Sequence, residues 1–534
     1  MRRDSKLEPF IVDVESVHGG YSGILVKERD GSVLSLPDAL MRRFLSVCDH
    51  GRMGEFSRNW GYRYTDEYRQ KMLRWRQTLR DLAKSIDIYY MDGRFWCFTG
   101  RIYERVSEKV LYEAYSLFVE SLGVVAVMGN KTLFQDCFLQ PVQIYNPLMP
   151  SFGLVAFQNG VLDLGDMSLH DFSPKYHVTY MHPFRYDPKA RCVKWQSFLR
   201  EVLPDKSSRM ILQMFLGLGL IERGSVYKRV EGSDKVELCL LLVGAGSNGK
   251  SVIYETATGV YGCGRISGVS YDELTAPGDE GMRARRLIRD KVFNWVSDAD
   301  SRTFGRRTGV FKKIVSGEPV TDRAIGEDVR ENDRIPYLVF NINELPNPED
   351  ASLGFIRRLQ FVSFDVVIPP ERQNKALSFE LIKEYPGIFN WLVRGARELR
   401  RRKFVFPSCE RGRRRLIRVM ANTSSTLAWT RALGLRESPV TKGELCVYIH
   451  TSDLWGSYTK FCVDNDLERD SQTRFGRKLS ELGYLKSRRS EGWYYRVYGC
   501  PVKALMRTCV IDDLLGECDD GGEWDETSEI SEED

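Results

Sequence analysis

The chain has 534 residues, 42% apolar and 28% charged, a composition that allows about three or four globular domains and excludes fibrous or wholly disordered classes. Its net charge of +5 conceals an acidic end: residues 511–534 hold twelve Asp or Glu and no Lys or Arg, so residues 1–510 carry +17, a balance suited to a polyanion such as nucleic acid. No apolar run is long enough to cross a bilayer and none near the start reads as a signal peptide, which predicts a cytoplasmic protein with no membrane partner; the twelve scattered cysteines form no CxxC pair and read as reduced thiols.

Residues 1–150 read as a mixed α/β accessory domain. Ile88 to Phe98 predicts a hairpin turning at Asp92-Gly93, and residues 107–128 carry helical apolar spacing. Asp13, Glu15 and His18 supply only part of the carboxylate and histidine set that a two-metal polymerising site needs, so this stretch reads as a strand of the accessory domain. Phe157 to Leu164 predicts a strand with a turn at Asn159-Gly160, and residues 194–223 predict two helices.

Short apolar runs at 236–243, 292–296, 337–342 and 359–364, separated by helical or loop segments, predict an α/β layered domain with a parallel sheet. Residues 394–418 hold eleven Arg or Lys against two Glu and are broken by Pro407, which predicts a basic helix and linker. Residues 452–499 read as two helices and a hairpin, and the acidic composition of the last segment predicts disorder.

The first run enters Gly244-Ala-Gly-Ser-Asn-Gly-Lys-Ser251, and a helix-compatible stretch follows. Strand, glycine-rich loop and helix are the context a phosphate-binding loop requires. Gly244, Gly246 and Gly249 let the backbone curl around phosphate, with Asn248 between them. Lys250 would reach the β- and γ-phosphates of ATP and Ser251 would ligate Mg²⁺. The loop alone is shared by kinases, GTPases and motors. The second run ends at Asp298 and Asp300, one to hold Mg²⁺ and one to orient the attacking water, or two solvated acids at a strand end. The third ends at Asn343, placed as a γ-phosphate sensor, with Asn341 as the competing amide. Arg357-Arg358 precede the fourth, and Arg358 is the candidate arginine finger for a neighbouring subunit, against a salt bridge on its own strand.

This order of elements resembles a superfamily 3 helicase of the AAA+ class, and most of all the C-terminal helicase module of phage and plasmid primases and of the poxvirus primase-helicase. The residues that carry the resemblance are 244–251, Ser-Asp-x-Asp at 297–300, 310–318, Asn343-Glu-Leu-Pro346 and Arg357-Arg358, with 159–164 and 186–199 upstream. Two departures stand out: Lys-Ser is followed by Val252 where Thr is usual, and Asp stands where Glu is common. The resemblance implies that Lys250, Asp298, Asp300, Asn343 and Arg358 are catalytic and that ATP and Mg²⁺ are the cofactors. It also implies a homo-hexamer with single-stranded DNA in the pore, an origin duplex as a further substrate, and a primase or polymerase as partner. Residues 312–335 match the pore-hairpin region, which makes Lys312, Lys313 and Arg323 candidate DNA contacts.

The unit at 452–499 resembles a winged helix, with Ser471 capping a recognition helix that carries Arg474, Arg477 and Lys478 as phosphate contacts, or as solvated charges on a domain that packs on the ring. The expected organisation is an accessory domain over 1–150, a helicase-associated region and helical collar over 151–232, and an AAA+ core over 233–400. A basic linker over 401–436, a winged-helix-like domain over 437–505 and an acidic tail over 506–534 would follow. A P-loop ATPase that binds DNA without unwinding it, and a small-molecule kinase, are the alternatives.

Overall fold

The computed structural model describes residues 25–27, 33–47, 66–91, 93–121, 131–148, 153–221, 223, 236–301, 303–326, 328–346, 353–439, 446–489 and 492–499. Asp13, Glu15, His18 and the acidic tail lie outside the described residues. The chain divides into two compact units, Met1–Lys189 and Ala190–Asp534.

In the first unit, Ile88–Met91, Arg94–Phe98 and Tyr103–Val106 form an antiparallel meander. The predicted hairpin turns through Gly93 at φ +77°, a left-handed conformation that glycine adopts without a Cβ clash. The helix Glu108–Ser121 presents Val110, Leu111, Ala114, Tyr115 and Phe118 to a core that also takes Phe44, Trp75 and Phe138. A second meander holds Leu154–Phe157, Gly160–Asp163 and Leu169–His170. At its first turn a Cβ on Gly160 would fall 2.5 Å from the His170 carbonyl, so the Asn-Gly signal marks a position closed to other residues.

In the second unit, Asp205 accepts a hydrogen bond from the Ser208 amide and starts the helix Lys206–Gly217, earlier than the apolar spacing suggests because a polar first turn precedes the apolar face. A five-stranded parallel sheet follows, in the spatial order Ile266–Ser267, Phe293–Val296, Tyr337–Ile342, Cys239–Val243, Leu359–Ser363. The four apolar runs are its four longer strands. Sequence reading misses the two-residue edge strand, which is too short to show a period. Every residue of Cys239–Val243 is buried. Burial of each of its three leucines stabilises the fold by about 1.5–3 kcal/mol.

The stretch expected as a basic linker contains the helices Glu410–Thr423 and Ser425–Ala432. Ile417, Val419, Met420, Leu427 and Trp429 belong to a core that continues from the parallel sheet to Phe475 and Tyr495. The arginine-rich composition hides this amphipathic pattern, since Arg411 and Arg415 lie on the outer face and pair with Asp365. The antiparallel sheet Val447–His450, Gly492–Val497, Lys486–Arg489 follows, with helices Thr451–Asp464 and Gln472–Glu481 between its first and second strands in sequence.

Candidate functional site

The strand Cys239–Val243 delivers the chain into the glycine-rich loop at the C-terminal edge of the parallel sheet. A Cβ on Gly244 would lie 2.1 Å from Asn248 Nδ2 and 2.6 Å from the Phe364 carbonyl. Gly246 has φ +106° and Gly249 φ +85°, and a Cβ on Gly249 would fall 2.7 Å from the Phe198 ring. Asn248 is buried and donates from Nδ2 to the Phe364 carbonyl at 3.2 Å. The helix Lys250–Tyr261 begins immediately after Gly249, so its positive end faces the loop. Ser251 is exposed in the first turn.

Lys250 is 6% exposed. Its ammonium donates to the Gly244 carbonyl at 2.5 Å and to Asn248 Oδ1 at 3.1 Å. Burial pushes its pKa below the ordinary lysine value, and the Asp298 carboxylate opposes that shift. A buried ammonium held by two neutral oxygens has room to gain from an anion. The curl closed to side chains, the helix end and this cation together fit a nucleotide's phosphates.

Asp298 follows the strand Phe293–Val296 and is exposed, as is Asp300. Asn343 follows the strand Tyr337–Ile342, which lies between the loop strand and the acidic strand, and its Nδ2 donates to Asp298 Oδ1 at 3.3 Å. Asn341 is buried and accepts from Trp295 Nε1 at 2.9 Å, so it serves the interior while Asn343 faces out. The sheet thus gathers Lys250, Asp298 and Asn343 at one edge.

The arginine pair sits elsewhere. Leu359 pairs with Cys239 and the Cys239 amide donates to the Arg358 carbonyl at 2.8 Å. That places Arg358 at the start of the loop strand, about 16 Å from the loop at ~3.3 Å per residue. Arg358 is buried; Nη2 donates to Glu237 Oε2 at 2.9 Å and to Ser316 Oγ at 2.8 Å, and Nη1 to the Gly354 carbonyl. Arg357 keeps 64% of its side chain exposed and pairs with the same Glu237 at 3.2 Å. Sequence reading misses Glu237 because one acid ahead of an apolar run carries no motif.

Lys312 is half-buried and Lys313 exposed on the helix Thr308–Ser316. The hairpin Val320–Asp322 with Arg330–Asn332 follows. Its base is fixed by buried Asp322, which lies 3.8 Å from Arg286 and 3.6 Å from Arg289. Ile325 is 85% exposed at its far end. Arg323 lies 3.3 Å from Asp279. In the helix Gln472–Glu481, Ser471 accepts from the Arg474 amide and caps the first turn. Arg474 and Lys478 both pair with Asp470, at 3.2 and 2.7 Å. Arg477 is exposed and turned away from Asp470, 3.8 Å from Glu481.

The architecture defines a mixed α/β protein with a glycine-rich loop at the edge of a five-stranded parallel sheet. Residues 147–204 match the family described as D5 N terminal like. Over 274 residues, 45% of the chain, it is 26% identical to a protein named Putative helicase 184R of Invertebrate iridescent virus 6. Over 302 residues, 54% of the chain, it is 24% identical to one named Putative helicase L207/L206 of Acanthamoeba polyphaga mimivirus. The matched stretches cover 26% and 30% of those relatives' own lengths. A solved apo structure of the NrS-1 C terminal region overlaps 78% of this chain and 96% of its own, at 10% identity and a TM-score of 0.42. The chain is thus similar, over residues 147–204 and about half of its length, to phage- and virus-type primase-helicase proteins, in line with the resemblance carried by the motifs. No helix among the described residues is long and apolar enough to cross a membrane.

Proposed function

We propose that the chain is an ATP-driven DNA helicase of the AAA+ superfamily 3 type, acting as a homo-hexameric ring on single-stranded DNA in the replication of a virus, phage or mobile element. The observation that carries the reading is the meeting of Lys250, Asp298 and Asn343 at one sheet edge, with Asn343 delivered by a strand inserted between the other two. A phosphate loop alone would bind nucleotide. A carboxylate and an amide held together beside it supply what hydrolysis needs, a Mg²⁺ ligand and a group to align water.

In this reading Lys250 neutralises the β- and γ-phosphates, and Ser251 and Asp298 hold Mg²⁺. Asp300 orients the attacking water and Asn343 reports the γ-phosphate. The bound nucleotide supplies the phosphoanhydride whose cleavage drives movement. The arginine pair is too far along the sheet to serve its own loop, which supports a role toward a neighbouring copy. Arg357 is the exposed member; Arg358, expected as the finger, would have to give up Glu237 and Ser316 to reach out. Lys312, Lys313 and Arg323 lie on the helix and hairpin read as the pore element. The C-terminal order of strand, two helices and hairpin supports a winged helix, in which Arg477 is the basic residue of the helix not paired to Asp470.

Strand displacement on forked DNA by wild type beside Lys250→Ala tests the proposal. Unwinding by the wild type alone is the expected result. Equal unwinding by both would sink the mechanism, and ATP hydrolysis without displacement by the wild type would move the chain to the class of non-unwinding DNA-stimulated ATPases.

A further inference from the structure

We infer that the second unit carries a phosphate-binding cleft separate from the glycine-rich loop, built to hold the backbone of single-stranded nucleic acid; the choice of nucleic acid rests on the proposed function. The cleft lies among the helices Val193–Val202, Lys206–Gly217 and Tyr385–Arg401, and the space over it, open solvent included, is about 510 Å³. Arg200, Lys206, Arg209 and Arg394 line it around an apolar floor that includes Trp391, and no carboxylate is among its lining residues.

Four cations sharing one concavity repel each other, and that cost is relieved by an anion. Carboxylates near in sequence are committed elsewhere, and Glu398, one turn on from Arg394, takes Arg401 and Arg402 at 2.7 and 2.6 Å. Asp205 accepts from the Ser208 amide at 2.7 Å and from Ser207 Oγ at 2.8 Å. Glu201 pairs with Arg372 at 2.6 Å, and Glu384 accepts the Lys194 and Trp195 amides at 3.0 and 2.9 Å. Among the described residues, Lys206, Arg209 and Arg394 have no carboxylate partner. Arg209 is also fixed in place, with Nη1 donating to the Leu203 and Pro204 carbonyls at 2.7 and 2.8 Å. A guanidinium oriented by its own backbone can meet a phosphate without losing further rotamer freedom.

The shape selects the ligand. An enclosed pocket would suit a mononucleotide; this cleft is open, and Arg200 and Arg394 are exposed at its rim, as a chain that enters and leaves requires.

The test measures binding of a fluorescent oligothymidylate to the full chain across a salt series, for wild type and for Lys206→Gln with Arg394→Gln, two side chains with no hydrogen bond to a backbone carbonyl; Arg394 does bond the Cys192 thiol. The double variant should melt at the wild-type temperature, keep its DNA-free ATP turnover, and lose about 1.4 from the slope of log affinity against log salt, about 0.7 per phosphate contact on single strands. The charge-keeping pair Lys206→Arg with Arg394→Lys should retain the slope. An unchanged slope in the Gln double variant overturns the cleft while leaving the helicase reading intact; failure of the wild type to bind DNA overturns both. Inorganic phosphate or ADP that competes away at low millimolar concentration without any slope difference between the proteins would make this a small-anion site and overturn the backbone assignment. Tighter DNA binding by the Gln double variant would point to the acidic residues 511–534 as the occupant, and would also overturn it.

Discussion

The two ends of the parallel sheet treat their cations in opposite ways. At the C-terminal edge Lys250 is buried against neutral oxygens and pushed toward its uncharged form by burial, so it gains most when an anion arrives. At the N-terminal edge Arg358 is buried against Glu237, Ser316 and a carbonyl, so its needs are already met. The same interior that primes one cation for a ligand retires the other into the framework. What its hydrogen-bond partners leave unmet, rather than its basicity, therefore marks a cation that can act on something outside the chain.

The largest effect expected from this contrast lies within the arginine pair. Arg357→Ala should lower ATP turnover by about 10³-fold, the scale of an arginine supplied to a neighbour's site, while costing under ~1 kcal/mol of stability as an exposed ion pair. Arg358→Ala should do the reverse in denaturant unfolding. It strands Glu237 and Ser316 and should cost about 3 kcal/mol, near the range for breaking a buried pair. A fully stable, inactive Arg358→Ala chain would restore Arg358 as the finger and end the contrast.

At the other edge, Lys250→Ala should cut steady-state phosphate release by about 10²–10³-fold, the scale for loss of one preorganised charge donor, and should not lower the melting temperature. It removes a buried ammonium that the fold holds at a cost, and the two acceptors it leaves, the Gly244 carbonyl and Asn248 Oδ1, are neutral, so no charge is stranded. A large drop in stability would show that Lys250 is a structural cation like Arg358. Asn343→Ala should have a smaller effect, about tenfold in turnover for one hydrogen-bonding group, with nucleotide affinity unchanged in equilibrium titration. Loss of affinity instead would place Asn343 in ground-state binding.

How much of this was legible in the sequence follows from the same division. The loop strand, the acidic strand and the inserted strand are continuous apolar runs ended by polar residues, so their order along the chain exposes the edge that gathers Lys250, Asp298 and Asn343. The state of Arg358 was not legible, because it depends on Glu237, 121 positions earlier in the chain, and on a serine at the end of another helix. The helices within 410–432 were hidden for a different reason. Eleven cations between 394 and 418 mask an apolar face that becomes visible only when it packs on the strand Leu359–Ser363. The cleft of Lys206, Arg209 and Arg394 draws on two segments some 180 residues apart in sequence, and no local pattern joins them.

The smallest effect tests whether the contrast extends to the C-terminal helix. Asp470 is buried and takes Lys478 at 2.7 Å and Thr426 Oγ1 at 2.8 Å. Burial acts on its carboxyl first and upward, but Lys478, Thr426 and Arg474 outweigh it and hold the pKa below the usual aspartate value. A depressed folded value means that the carboxylate's stabilisation is complete above the unfolded value of about 3.9 and disappears as pH falls through the folded one. In Lys478→Met the opposing charge is gone and burial is met by less, so the folded value rises and stability is lost at a higher pH. The expected result is a thermal-unfolding profile whose acid limb moves toward neutrality, with a cost of about 1 kcal/mol at pH 7. The salt slope for oligonucleotide binding should stay at the wild-type value, because Lys478 is spent on Asp470. Arg477→Met, which removes an exposed cation of the same helix that does not pair with Asp470, should instead leave the acid limb in place and lower that slope. If Lys478→Met lowered the slope and left the acid limb unmoved, pairing with a buried carboxylate would not retire a cation from ligand binding, and the reading of Arg358 would weaken with it.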